Sequence, residues 1–304
     1  MEYRRTMTED YDQVITLVNQ SFKEEIPMEV SFPFLFHKSN NTSFAVMENG
    51  ECISFIGGVP YKLKIGDREE CCINIGAVCT KEGYRGKGIA DKLLKRALLD
   101  YKNQGFSFAL ISGGGNLYIK NGYTHFGEFL NYEISDFNSI NLHRESQYVI
   151  SSYQNDMKSL FAIYDLYSKK EKAIQYSLNE MKVLLDASAA CNVMHMEQKV
   201  YLAHVDGNCT AFIVVGVKKD HHGGIGRIIE TAGSPEGIIY LIKALGLMED
   251  LSKINFVINK KDIELQEYLK NHEAVEIHND GTYLPFNTSI REEDIPYTLN
   301  LNFV

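Results

Sequence analysis

The sequence predicts an α/β fold, mixed α+β in character and built twice in tandem, each copy a mainly antiparallel sheet flanked by helices. Two observations carry that expectation. Apolar runs of strand length alternate with segments whose apolar residues recur at helical spacing. In addition, SFAVMENGECISFIGGV in the first half lies over VYLAHVDGNCTAFIVVGV, which begins at Val200, and each run is followed by another strand, a helix and a short apolar strand.

The elements follow in order. Thr8 before Glu9 and Asp10 reads as a helix start, with a hydroxyl cap and acidic first turn, and Val14, Ile15, Leu17, Val18 and Phe22 mark the buried face. SFAVM and CISFIGGVPYKLKI are strands joined at Asn49-Gly50, a pair suited to the positive φ angles of a tight hairpin turn. CCINIGAVCT is the next strand. Ile89, Leu93, Leu94, Ala97, Leu98 and Tyr101 then recur as one face of a helix, and FSFALISG follows as a short buried strand. In the second half the turn falls at Asp206-Gly207-Asn208, the helix at 235–248 and the short strand at 254–259, and the terminal PYTLNLNFV alternates like a strand. The polar stretch NSINLHRESQ marks the expected boundary between an N-terminal domain of residues 1–140 and a C-terminal domain of residues 148–304. A single continuous mixed α/β domain is the alternative.

Composition narrows the function. The net charge of -9, with neither half in positive excess, repels phosphate backbones and argues against nucleic acid as a partner. Cys52, Cys71, Cys72, Cys79, Cys191 and Cys209 form no CxxC pair, no run is apolar enough to span a membrane, and MEYRRTMTEDYDQ offers no signal peptide, so a cytoplasmic protein with reduced thiols is expected. His221-His222 before a glycine-rich run has no Cys, Asp or Glu at ligand spacing, and no metal is expected there.

Chemistry concentrates in GAVCTKEGYRGKGIADKLLKRAL, residues 76–98. A strand ends near Thr80, a loop with Arg85, Gly86, Lys87 and Gly88 follows, and a helix starts at Ile89. Such a loop leaves backbone N–H groups free at a helix N-terminus, and its glycines let a diphosphate approach without Cβ obstruction. The plainer reading is a strand-to-helix turn that uses glycine for its backbone freedom.

RGKGIA at 85–90 resembles the R/Q-x-x-G-x-G/A coenzyme A signature of the GNAT-superfamily N-acetyltransferases, and LYIKNGY at 117–123 resembles that family's Tyr-x-x-x-Gly-Tyr/Phe segment. VCTKEGYRGKG is further similar to VATxPEYRGxG of the Eis-like tandem-GNAT group, with Glu82 where that pattern has Pro. The resemblance implies two tandem GNAT-like domains, of which the first binds acetyl-CoA and the second is degenerate, since ETAGSPEGIIYLIKALG lacks the arginine and the glycine pair. It also implies a chain without the sterol-carrier-like third domain of that group. By resemblance, Val78, Cys79 and Thr80 pair with the pantetheine arm, Arg85, Gly86, Lys87, Gly88, Ile89 and Ala90 hold the diphosphate, and Asn116 adds a cofactor contact. Tyr118 becomes the general acid and the Val78 amide the oxyanion donor.

The resemblance further implies acetyl transfer to a primary amine of a small molecule or peptide by direct attack, with acetyl-CoA as co-substrate and no metal. The alternative is a non-catalytic acyl-CoA-binding or regulatory protein on the same scaffold. The base is not identifiable. Glu24, Glu25 and Glu29 follow the first helix and suit a cationic amine, although such runs are more often solvated faces. A role for the Val304 carboxylate rests on analogy alone. Cys79 reads as a small buried hydrophobe before it reads as a nucleophile. Lys92, Lys95 and Arg96 either meet the adenosine phosphate or face water. Gly113-Gly114-Gly115 either brings the next helix close to the cofactor or is a flexible connector. Self-association through exposed strands of the second copy is the remaining partner to expect.

Overall fold

A computed structural model describes residues 1–142, 147–219, 223–279, 281–287, 290–301 and 303. In chain order the elements are β1 (Glu2–Arg5), α1 (Tyr11–Phe22), α2 (Met28–Ser31), β2 (Phe44–Glu48), β3 (Glu51–Ile65), β4 (Arg68–Thr80), α3 (Ile89–Asn103), β5 (Phe108–Ile111), α4 (Asn116–Lys120) and β6 (Thr124–His125). There follow β7 (Phe129–Ile134), β8 (Val149–Ser152), α5 (Met157–Ser168), β9 (Lys172–Ile174), α6 (Leu178–Ala187), α7 (Ala189–Val193), β10 (Glu197–Val205), β11 (Asn208–Lys218), β12 (Gly224–Gly233), α8 (Pro235–Met248), β13 (Leu251–Asn259), α9 (Ile263–Leu269), β14 (Ala274–Ile277) and β15 (Thr282–Pro285). The chain packs into two compact units, one of residues 1–126 with 281–298, the other chiefly of residues 127–279.

In the first unit the strand order is β1-β2-β3-β4-β5-β15-β6. Asn49 and Gly50 both take positive φ, which closes the β2–β3 hairpin with the twist its strands require. β3 is buried without alternation from Cys52 to Val59, the pattern of a strand covered on both faces. α1 packs on β3 and β4, and α3 on β2, β3 and β4. The α3 stripe of Leu93, Leu94, Ala97 and Tyr101 is inaccessible to solvent and closes the core with Ile53, Ile73 and Ile75.

The second unit repeats the arrangement as a seven-stranded sheet, β14-β7-β13-β12-β11-β10-β8. Asp206 and Gly207 turn the β10–β11 hairpin, α8 packs on β11 and β13, and a single parallel pair, β12 with β13, matches β4 with β5 in the first sheet. In each sheet the strand beside that parallel partner comes from a distant part of the sequence: β15 lies between β5 and β6, and β7 between β13 and β14.

Two expectations are corrected. Thr8 does not cap α1: residues 8–10 form a 3-10 turn, the Thr8 hydroxyl donates to the Lys38 carbonyl, and the Met7 N–H donates to the Asp10 carboxylate, which Arg4 also grips. A carboxylate is the stronger acceptor, and the Arg4–Asp10 ion pair holds it on the Met7 N–H. Nor does the terminal PYTLNLNFV form a strand among its described residues. Thr298 and Leu301 there are buried, and β15, upstream, is the segment that enters a sheet.

Candidate active site

The site is set by an interruption in β4. On the β3 side, Phe55 faces Cys79 and Gly57 faces Gly76, so Ala77 and Val78 together oppose Ile56 as a β-bulge. Ala77 takes φ 50°, a left-handed conformation that costs a residue with a Cβ about 1 kcal/mol and persists only where its surroundings enforce it. On the β5 side, parallel pairing stops at Ile75 and Ile111. Beyond that point no pairing with β5 continues, and among the described residues the β5-facing edge of β4 from Ala77 to Thr80 has no partner strand. Ser54 anchors the end of this edge, its hydroxyl within 2.8 Å of both the Cys79 carbonyl and the Thr80 hydroxyl.

The loop after β4 holds an anion cradle. Tyr84 and Arg85 use their N–H groups on Lys81 and Glu82, and Lys92 begins the helical ladder on Gly88. Between them, the N–H groups of residues 86–91 have no acceptor among the described residues. Gly86 and Gly88 adopt φ of 76° and 73°, and a Cβ placed on either meets nothing within 4 Å, so the surface over these amides is open. Arg85 Nε braces the loop by donating to the Thr80 carbonyl at 3.0 Å. Lys87 Nζ donates to the Gly83 carbonyl at 3.0 Å. Neither cation is paired with a carboxylate among the described residues. Six free donors, the positive end of a fifteen-residue helix and two uncommitted charges suit a diphosphate. The residues present therefore fit coenzyme A.

Ile89 is buried in the same core against which Val78, Tyr84, Leu117 and Tyr118 pack. The Tyr118 ring meets Tyr123 edge to face at 5.8 Å, and its hydroxyl has no hydrogen-bond partner among the described residues. Burial pushes its phenol up to about 12. Cys79 is buried and its thiol is pushed by desolvation to about 11, an environment that keeps it protonated. Asn116, the first residue of α4, is exposed.

The acidic candidates separate. The Glu29 carboxylate accepts from Asn19 Nδ2 at 2.8 Å, and Asn19 Oδ1 accepts from the Met28 N–H, so Glu29 takes part in holding α2 to α1. Glu25 is exposed and Glu24 half-buried, and neither makes an ion pair among the described residues. Ser21, at the end of α1, contacts Cys79 and brings this segment beside the β4 edge. Of the basic residues on α3, Lys95 pairs with Asp91 at 2.7 Å and Lys92 lies 4.4 Å over the Tyr3 ring, leaving Arg96 exposed. His221, His222 and Val304 lie outside the described residues. The sequence reading missed Asn121, whose Nδ2 donates to Asp91 Oδ1 at 2.8 Å and ties α4 to the first turn of α3. An Asn closing a short helix next to the motif glycine was the available signal.

The second unit handles the same places differently. Its bulge falls at Ile229, and pairing of β12 with β13 stops at Arg227 and Asn255. There Lys170 Nζ donates to Glu230 Oε1 at 2.6 Å and to the Thr231 carbonyl at 3.1 Å. A Cβ on Gly233 would lie 2.2 Å from the Thr210 carbonyl oxygen, and α8 opens with Ser234 capping the Gly237 N–H and with Pro235, which has none.

Residues 2–126 match the model of the acetyltransferase (GNAT) domain. No curated protein matches the chain in sequence. Among solved structures, a GCN5-related N-acetyltransferase from Anabaena variabilis is similar with a TM-score of 0.71 at 16% identity, over 94% of this chain and 73% of that one. A conserved protein of unknown function from Enterococcus faecalis, described as a probable N-acyltransferase, is similar at 0.74 and 13% identity, over 94% and 72%. Eis1 from Mycobacterium abscessus is similar at 0.69 and 11% identity, over 94% and 74%. At these identities the likeness is one of fold. The family match ends at Phe126, the residue where the chain leaves its first unit, so the similarity to the acetyltransferase (GNAT) domain is a property of that unit.

Proposed function

We propose that the protein is an acetyl-CoA-dependent N-acetyltransferase whose first unit binds the co-substrate and acetylates a primary amine of a small molecule or peptide. The observation that carries this is the run of amides at residues 86–91 unpaired among the described residues, over an open surface and following a strand whose pairing with β5 stops at Ile75. When bound, acetyl-CoA supplies the activated acetyl group. The Gly86–Asp91 amides and Arg85 and Lys87 hold its diphosphate, while the edge from Val78 to Thr80 aligns its arm. The Val78 N–H, turned out of the ladder by the bulge, stabilises negative charge at the acyl oxygen. Tyr118, kept neutral by burial, gives a proton to the departing sulfur. Glu25, exposed shortly after α1, attracts the protonated amine.

The Lys170 ammonium on β12 and the crowded glycine of the second unit support a division of labour in which that unit binds no coenzyme A. The test is calorimetric titration of the purified protein with acetyl-CoA, repeated on the Gly86→Glu, Gly88→Glu double variant. Saturable binding to one site, abolished in the variant, is expected. A folded wild type that binds no acetyl-CoA overturns the reading. Turnover is then sought with a polyamine, an aminoglycoside, an amino acid and a peptide with a free amino terminus.

A further inference from the structure

Resting on that reading, we infer that Thr282, on the strand that joins the first sheet from the far end of the chain, is a positioning residue for Tyr118. The three glycines that precede α4 have no side chains with which to fix their own course. The Thr282 hydroxyl, fully buried, donates to the Gly113 carbonyl oxygen at 2.9 Å across a sequence separation of 169 residues. Thr282 stands opposite Ile111 of β5 on one side and His125 of β6 on the other, so its backbone is held from both edges and its hydroxyl is aimed by the ladder.

Gly114 completes the clamp. A Cβ there would lie 2.9 Å from His125 Cε1 and 3.9 Å from Thr282 Cγ2, so the loop rests directly on those two side chains. The loop in turn seats Tyr118. A Cβ placed on Gly113 or Gly115 would lie 3.8 or 3.7 Å from Tyr118 Cε2, so the loop runs alongside that edge of the ring. Position therefore passes from Thr282 to the Gly113 carbonyl, through the glycines, to the phenol. A shift of the loop by a fraction of an ångström moves the proton donor relative to the sulfur without touching the diphosphate cradle on α3.

The experiment compares wild type, Thr282→Val and Thr282→Ser. Valine keeps the methyl contact to Gly114 and removes the O–H; serine keeps the O–H. Two readouts are taken: steady-state kinetics with acetyl-CoA and the amine of the panel that turns over, and amide hydrogen exchange across residues 91–122. For Thr282→Val, kcat is expected to fall by about tenfold or more while the acetyl-CoA dissociation constant stays within about twofold, with faster exchange confined to residues 113–120 and α3 unchanged. Thr282→Ser restores both. Unchanged kcat in a folded Thr282→Val enzyme, or unchanged exchange at 113–120, overturns the inference, as does faster exchange spread evenly over α3. A wild type that turns over no amine, with the local exchange contrast intact, counts instead against the acetyltransferase reading and supports the loop clamp.

Discussion

Replacing Tyr118 by Phe removes one oxygen and leaves the ring. In the structure that oxygen bonds to no other described residue, whereas the ring carries the packing with Tyr123 and with the glycines before α4. The substitution thus forfeits no native hydrogen bond, and its effect on stability should lie within about 0.5 kcal/mol. If the phenol is the acid, the rate loses a factor of about 10²–10⁴, or about 3–5 kcal/mol of barrier. Because burial raises the phenol to about 12, the acid form persists at all pH values where the enzyme is assayed, and Tyr118 contributes no alkaline limb to kcat below about pH 11. The assay is release of free coenzyme A thiol, with thermal unfolding of both proteins measured in parallel. A variant that keeps kcat within about threefold of the wild type refutes the assignment, since a positioned general acid is worth more than that. An alkaline limb near pH 9 that disappears in the variant refutes the argument from burial instead.

Three other outcomes follow from described geometry. Gly233→Ala combines φ 110° with a Cβ 2.2 Å from the Thr210 oxygen and should destabilise by more than about 2 kcal/mol, whereas Gly83→Ala, in open space, should change stability by less than about 0.5 kcal/mol; equal urea midpoints would contradict this. Tyr101 and Tyr123 are buried neutral, and desolvation raises both above the ordinary phenol value. A folded-state pKa above the unfolded one means stability that is complete below about pH 10 and lost as pH rises further, so the urea midpoint should decline from there and phenolate absorbance should appear together with unfolding. Tyr283→Pro deletes a ladder donor in a strand paired on both sides and should cost about 3 kcal/mol or more, read as lost amide protection at 108–111; retained protection would show that β15 is dispensable.

The parts legible in the sequence are those specified locally. The stripe from Ile89 to Tyr101, the Asn49-Gly50 turn and the helix starting at Pro235 each encode their own conformation within a few residues, and each lies where the pattern put it. The loop glycines were legible for the same reason: positive φ and open space are properties of the residue itself. What the sequence hid depends on partners remote along the chain. β15 is four residues long, TYLP, and becomes a strand only because β5 and β6 offer facing edges. Thr8 does not cap a helix because Asp10, held by Arg4 of β1, accepts the Met7 N–H and closes a 3-10 turn there. The bulge at Ala77 and Val78 has no signature in composition, since it arises from a mismatch of register with β3.

The insertion of β15 between β5 and β6 has a consequence for the order in which the protein is made. Gly113 and its hydrogen-bond partner Thr282 are separated by 169 residues, and at about 5–20 residues per second the ribosome needs roughly 10–30 s to span that interval. Throughout it the nascent first unit holds its cradle loop and helix but has a gap in its sheet, with β5 exposing a free edge to any extended chain nearby. Synthesis therefore leaves a window in which this half is adhesive and the glycine loop before α4 lacks its Thr282 contact, and both conditions end only when β15 has been made.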